Sequence, residues 1–378
     1  MRVFITKSCE HTSRFRTPLA FCLGLILFCL YLPSLRGAQD PPAGAAASVD
    51  PADSSQTPTP EKTKEVIRIK VEEVQIPFSA FDQKGNLVLD LKQEDFTVFD
   101  AGVEQEIRYF SGPANLPLRF GLMLDTSSST RPRLKFEKEA AMQLGYYVLT
   151  EDKSKDHMGF LMQFDRTPQV IQDFTSNADD LTTALDGLEA SGGTALLDAI
   201  IEACEKKLTL SPGPGLPRRV LVIFSDGDDT LSKSSVEQAV AAALQANVRI
   251  FAVSANGYGQ KAPGEEVLKR LVEETGGQLY TPLNDLPSTA FATGYQSRHQ
   301  LYESQNSVYL PGSGQYTSEL ANALTKALES IGQELTHQYA LGYIPKNPDT
   351  GSRFRPIEIR TRRKGVEIRT KKGYYTPR

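Results

Sequence analysis

The chain has 378 residues, with 46 acidic and 42 basic side chains and 40% apolar residues. That length accommodates two or three domains with cores of their own. The near balance of charge gives no cationic excess of the kind that nucleic acid selects.

The first segment stands apart from the rest. Arg2, Lys7, Arg14 and Arg16 precede an apolar run from Leu19 to Leu32 that stops at Pro33. Such a run is short for a bilayer span and suits the core of an export signal over residues 1–38. Cleavage after Ala38 would put Arg36 at the −3 position, a poor fit to a small-x-small site, so an uncleaved membrane anchor stands as the alternative. Cys9, Cys22 and Cys29 fall in this segment, which leaves Cys204 alone beyond it. A single thiol forms no internal disulfide and no thiolate metal site; within a helical pattern it reads as buried packing. Without residues 1–38 the chain carries 37 basic and 45 acidic side chains, a net charge of −8.

Residues 39–62, rich in Ala, Pro, Asp, Ser and Thr, read as a flexible linker. A β pattern follows over 64–112. Ile67, Ile69 and Val71 alternate with polar residues, and 76–81 continues the run. The turn Lys84-Gly85-Asn86 precedes an expected strand Leu87–Leu91, then 95–99, the turn Asp100-Ala-Gly102, and a strand over 105–110. About four strands make a marginal core on their own.

From 117 the signals alternate. Strands are expected at 119–124, 157–164, 168–172, 219–225, 248–254 and 278–281, with helices at 133–149, 177–188, 195–208, 234–246 and 264–275. This rhythm specifies an α/β fold, a doubly wound, mostly parallel sheet covered on both faces. Residues 285–316 read as a loop insertion, and a last helix over 317–335 carries Leu320, Leu324, Ala327, Leu328 and Ile331. Three further strands follow, at 338–344, 355–360 and 366–370. From Arg353 onward there are ten Lys or Arg against Glu358 and Glu367, read as the solvated face of an edge hairpin rather than a polyanion site.

Three segments carry chemistry. Asp125, Ser127 and Ser129 follow the apolar run 119–124; Thr194 follows Gly192-Gly193; Asp226 follows the run Val220-Leu-Val-Ile-Phe-Ser225. Two carboxylates and three hydroxyls converging at one sheet edge make an all-oxygen cage suited to a small, hard divalent cation. Asp198, one turn beyond Thr194, is either a support for the loop or an exposed helix residue. Asp228 beside Asp226 enriches the rim or, the favoured reading, caps a turn; Asp165 lines the same rim or serves its own loop.

With these motifs, and with "GNLVLDLKQEDFTVFDAGVEQEI" and "QYALGYIP…KKGYY" on either side, the chain resembles the von Willebrand factor type A family, specifically its exported bacterial, VWFA-related acidobacterial branch. The resemblance implies a Rossmann-like domain over 117–335 with a metal-ion-dependent adhesion site. Its ligands would be Asp125, Ser127, Ser129, Thr194 and Asp226, and the cation magnesium, with manganese or calcium as alternatives. It further implies a protein partner that supplies an acidic side chain, no nucleic acid, and a periplasmic, cell-surface or secreted location. Membrane contact would run only through an uncleaved N-terminal segment. A structural or assembly component of the envelope with an empty site is the competing function.

Enzyme readings lack their parts. There is no Gly-x-Gly-x-x-Gly after the first α/β strand and no Gly-x-Ser-x-Gly. Beyond the leader only His157, His299 and His337 remain, none in zinc-ligand spacing. No catalytic residue is expected. Because each flank is too small to stand alone, 64–112 and 336–378 are expected to form one β-sandwich-like module with the α/β domain inserted between them. The integrin-like layout then makes helix 317–335 the expected coupler between the two.

Overall fold

The computed structural model describes residues 73–113, 116–131, 133–151, 155–212, 217–254, 263–282, 314–347 and 354–376, with the side chains of 314–321 and 323 left aside. The expected export segment, the linker, the strand at 66–71 and nearly all of the insertion lie outside the described residues.

Fourteen strands and six α-helices are described. The flank contributes β1 (Val74–Asp82), β2 (Phe96–Asp100), β3 (Val103–Gln105) and β4 (Ile107–Ser111). The α/β unit follows with β5 (Leu118–Asp125), α1 (Leu134–Thr150), β6 (Met158–Phe164), β7 (Pro168–Thr175), α2 (Ala178–Asp186) and α3 (Leu196–Glu202). It continues with β8 (Arg218–Phe224), α4 (Val236–Gln245), β9 (Val248–Val253), α5 (Pro263–Thr275), β10 (Leu279–Tyr280) and α6 (Gly314–Thr336). The chain returns through β11 (Tyr339–Tyr343), β12 (Phe354–Thr361), β13 (Val366–Thr370) and β14 (Gly373–Tyr375). Because α6 begins at Gly314, residues 314–316 belong to the helix and not to the insertion.

The central sheet runs β10-β9-β8-β5-β6-β7, parallel except for the hairpin strand β7. Every residue of β5 is buried, as expected of a parallel strand covered on both faces. Alternate residues feed two cores. Met123, Leu221 and Ile223 pack with α3, α4 and α5, whereas Leu122, Leu124, Val220 and Val222 pack with α1, α2 and α6. The β5–β6 register places Phe120 opposite Gly159 and Gly121 opposite Phe160. A Cβ at either glycine would meet the facing ring at 2.4 Å, so each ring occupies the space left by the missing side chain. Leu122→Ala in this setting costs on the order of 2–5 kcal/mol.

The flanks do pair. One sheet runs β13-β1-β11-β4 and the other β14-β12-β2-β3, each combining strands from both ends of the chain. Their inner faces share one core, in which Phe78 stacks on Tyr339 at 5.2 Å and meets Phe96 edge-on at 5.0 Å. The α/β fold with a second module of antiparallel strands from the two flanks is thus the observed architecture.

Two strand expectations are corrected. Residues 87–91 form only one bridge, Leu87 with Phe81. The Tyr339 hydroxyl takes over their backbone instead, donating to the Val88 carbonyl at 2.9 Å and accepting from Leu91 N–H at 3.1 Å. The single strand over 105–110 is two, β3 and β4, which join different sheets.

Buried charges fasten the module to the α/β unit. Arg249 on β9 donates to the Ser79 hydroxyl of β1, to the Gly276 carbonyl, and to Glu334 of α6 at 2.7 Å. The other Glu334 oxygen accepts from Arg369 of β13, also at 2.7 Å. Within the module, the buried carboxylate of Asp100 accepts from Arg355, Tyr343 and Tyr374. The basic C-terminal stretch is therefore only partly a solvated face: Glu358–Arg360 is exposed, while Arg355 and Lys371 are buried against Asp100 and Asn247.

Candidate functional site

β5 and β8 are adjacent at the middle of the sheet, with Leu124 opposite Phe224. The helix after β5 packs on one face and the helix after β8 on the other, so the crevice at their carboxyl ends is a topological switch point, where open α/β sheets bind ligands. Asp125 ends β5 there, and Ser225-Asp226 follows β8.

Three loops are knitted together at this edge. Ser128 N–H donates to the Gly192 carbonyl at 3.1 Å and Ser191 N–H to the Thr126 carbonyl at 2.7 Å. Gly192 takes a positive φ of 71°, which an L side chain rarely adopts, to present that carbonyl. The Thr194 carbonyl accepts from Thr230 and Leu231 of the third loop at 3.0 and 2.8 Å, and Thr194 N–H donates to the Thr230 hydroxyl. The loops bearing Asp125, Ser127 and Ser129, then Thr194, then Asp226 are therefore mutual neighbours.

Within this frame the Ser127 and Ser129 hydroxyls lie 2.9 Å apart. Asp125 accepts from Ser127 N–H on one oxygen and from the Ser225 hydroxyl on the other, at 2.9 and 2.7 Å. Burial raises the Asp125 carboxyl above its usual range against these donors, with Asp226 adding repulsion. Asp226 accepts from Asp228 N–H on one oxygen and from the Arg133 guanidinium, at 2.9 Å, on the other. Among the described residues no cluster of three or more His, Cys, Asp or Glu is arranged to hold a metal. The donor set here is of another kind, hydroxyls with two carboxylates, and it suits a hard divalent cation; a positively charged side chain already sits on one of those carboxylates.

The rim residues divide. Asp165 accepts from the Ser191 hydroxyl at 3.2 Å, and its backbone carbonyl accepts from Ala195 N–H, so it braces the Thr194 loop. Asp198 accepts from Lys233 and Ser234 N–H and steadies the loop beyond Asp226 rather than the site itself. The Asp228 side chain is exposed, while Asp229 takes the capping role, accepting from Leu197, Leu231 and Ser232 N–H.

Sequence reasoning missed Arg133 and Glu137. The stripe Leu134, Ala141, Leu144 and Val148 buries one face of α1, and Glu137 occupies the same helical stripe. A carboxylate in a core position of an amphipathic helix was the available signal. Its side chain is 3% exposed, and neither oxygen has a hydrogen-bond partner. Burial pushes its carboxyl up to about 8, against the pull of Arg133 and with added repulsion from Asp125 and Asp226. A cleft of about 1130 Å³ lies elsewhere, between the turn after β1, the ends of α1 and α6, and β13, and shares no residue with this edge.

Residues 121–293 match the family model described as the von Willebrand factor type A domain. The α/β unit thus has the fold of that domain class, which is typically one of protein interaction. Among solved structures, the chain is similar to the conserved hypothetical protein BatB from Bacteroides thetaiotaomicron, with 15% identity, TM-score 0.36, and coverage of 50% of this chain and 100% of that one. It is also similar to the vWF domain of the type V pili tip protein Mfa5 from Porphyromonas gingivalis, with 19% identity, TM-score 0.27, and coverage of 30% and 39%. The PilB minor pilin from Streptococcus sanguinis gives 12% identity, TM-score 0.36, and coverage of 58% and 62%. No curated protein matches the chain. No helix among the described residues is long and apolar enough to cross a membrane.

Proposed function

We propose that this protein is an exported, non-enzymatic binding module of the acidobacterial von Willebrand type A branch, which uses a divalent cation to grip an acidic side chain of a protein partner. The observation that carries the reading is the juxtaposition of the Ser127–Ser129 hydroxyl pair with Asp125 and the loops of Thr194 and Asp226 at the switch point. Neutral hydroxyls leave most of the ion's charge uncancelled, while Asp125 and Asp226 supply the attraction that retains it. When bound, the cation, taken to be magnesium, would offer an electrophilic position to a carboxylate. This chain's own residues orient the cage, and Asp165 and Asp229 hold the loops that form it.

The test is a pull-down from the exported fraction with and without chelator, beside Asp125→Ala and Asp226→Ala. Capture lost on chelation and in both folded variants supports the reading; capture that survives all three sinks it. One observation favours the second reading, an envelope component with an empty site: the Arg133 guanidinium pairs with Asp226 at 2.9 Å and offsets part of the charge a cation would need. That reading requires no cation binding by calorimetry at millimolar concentration. The α6 helix is the expected route between the metal edge and the β module, since Glu334 on it grips Arg249 and Arg369. A cross-link from α6 to the sheet that leaves partner affinity unchanged would refute that coupling.

A further inference from the structure

Arg133 lies at the N-cap of α1, a half-exposed side chain beside a nearly buried carboxylate. One end of its guanidinium donates to Asp226 at 2.9 Å. The other, Nε, is buried with no hydrogen-bond partner and lies 3.8 Å from Glu137 Oε1. That separation is within ion-pair range yet too long for a hydrogen bond. Both oxygens of Glu137 are also without partners. The Arg133–Glu137 pair is therefore assembled but left open, one helical turn apart on the same element, while Arg133 is engaged elsewhere. Buried polar atoms without partners are costly and rare, so Nε and Oε1, 3.8 Å apart, call for a state in which they are satisfied.

We propose that Arg133 is the resident cation of the site: it neutralises Asp226 while no metal is present, and closes onto Glu137 when a divalent ion takes Asp226. This rests on the cation-binding reading above and adds what sets the affinity. The guanidinium held on Asp226 Oδ2 repels a dication approaching the same carboxylate, so the ion competes with it. Glu137 lowers the cost of displacement by receiving it, and the closing of that pair satisfies Nε and a carboxylate oxygen together. The two residues thus act on cation affinity in opposite directions. A metal-independent packing role would not produce that split.

The experiment is calorimetric titration of the full chain with Mn²⁺ alone, for wild type, Arg133→Gln, Arg133→Lys and Glu137→Gln, with circular dichroism to establish folding. Arg133→Gln should bind Mn²⁺ about tenfold tighter, since the competitor is gone. Glu137→Gln should bind several-fold more weakly, because the displaced guanidinium loses a carboxyl that can release its proton to receive it. Arg133→Lys, which keeps the charge, should stay near wild type and carries the test with Glu137→Gln if Arg133→Gln does not fold. Equal affinities throughout, or both positions shifting the same way, overturn the exchange while leaving a metal site standing. Absence of Mn²⁺ binding in wild type and in every folded variant overturns the exchange together with the metal reading.

Discussion

The two ends of the central sheet treat buried charge in opposite ways. At the junction with the β module, Glu334 gives one oxygen to Arg249 and the other to Arg369, and Arg249 spends its remaining donors on Ser79 and Gly276. At the carboxyl edge, Glu137 is as deeply buried but has no hydrogen bond, and Arg133 leaves Nε unused. Burial is the same; satisfaction differs. A closed network holds two bodies in one arrangement, whereas an open one leaves a second arrangement within reach.

The most severe way to break this contrast is to open the closed end. Glu334→Ala leaves Arg249 buried without its charged partner and should lower stability by about 3–5 kcal/mol, read from the urea midpoint. A Glu334→Ala protein as stable as wild type would show that the junction network is not holding the module.

The next effect sharpens the open end. Buried, and repelled by Asp125 and Asp226 against the pull of Arg133, Glu137 keeps its proton in the folded state up to about 8, against 4.5 when free. Between those values the folded chain binds more protons than the unfolded chain, so this group's stabilisation is complete below pH 4.5 and is lost as pH rises through 8. The slope amounts to about 1.4 kcal/mol per pH unit at its steepest. Glu137→Gln should remove that component, so its stability advantage over wild type should grow from pH 5 to pH 8 in paired urea titrations. Parallel profiles would contradict it.

A smaller effect comes from trimming one bond of a satisfied network. Tyr343→Phe removes a donor to Asp100 at 3.0 Å but leaves Arg355 and Tyr374 in place, and should cost about 1 kcal/mol. Smallest of all, Arg360→Ala breaks an ion pair with Glu358 in which both side chains are more than half exposed, and the thermal midpoint should not move beyond scatter.

Much of the architecture was legible because it rests on short-range patterns. The apolar runs 120–124 of β5 and 220–224 of β8 announced buried parallel strands, and the spacing of Asp125, Ser127 and Ser129 marked a strand-end loop. Other features depend on partners far along the chain. Whether 105–110 is one strand or two is invisible to a period of two, because Gln105 and Ile107 alternate alike in either sheet. The capture of Val88 and Leu91 depends on a hydroxyl some 250 positions away at Tyr339. The pairing of Arg133 with Asp226 likewise joins residues 93 positions apart, and no local pattern encodes it.

The way the α/β unit is spliced into its neighbour has a mechanical consequence. Its entry follows β4 and its exit precedes β11, and these strands are hydrogen-bonded side by side, with Ser111 opposite Ala340 at the end nearest the splice. Tension that draws the inserted unit away from the module would load that pair at its terminus and peel it rung by rung, instead of stressing all its bonds at once. The junction between the inserted unit and the module would be the first place to yield under a tug.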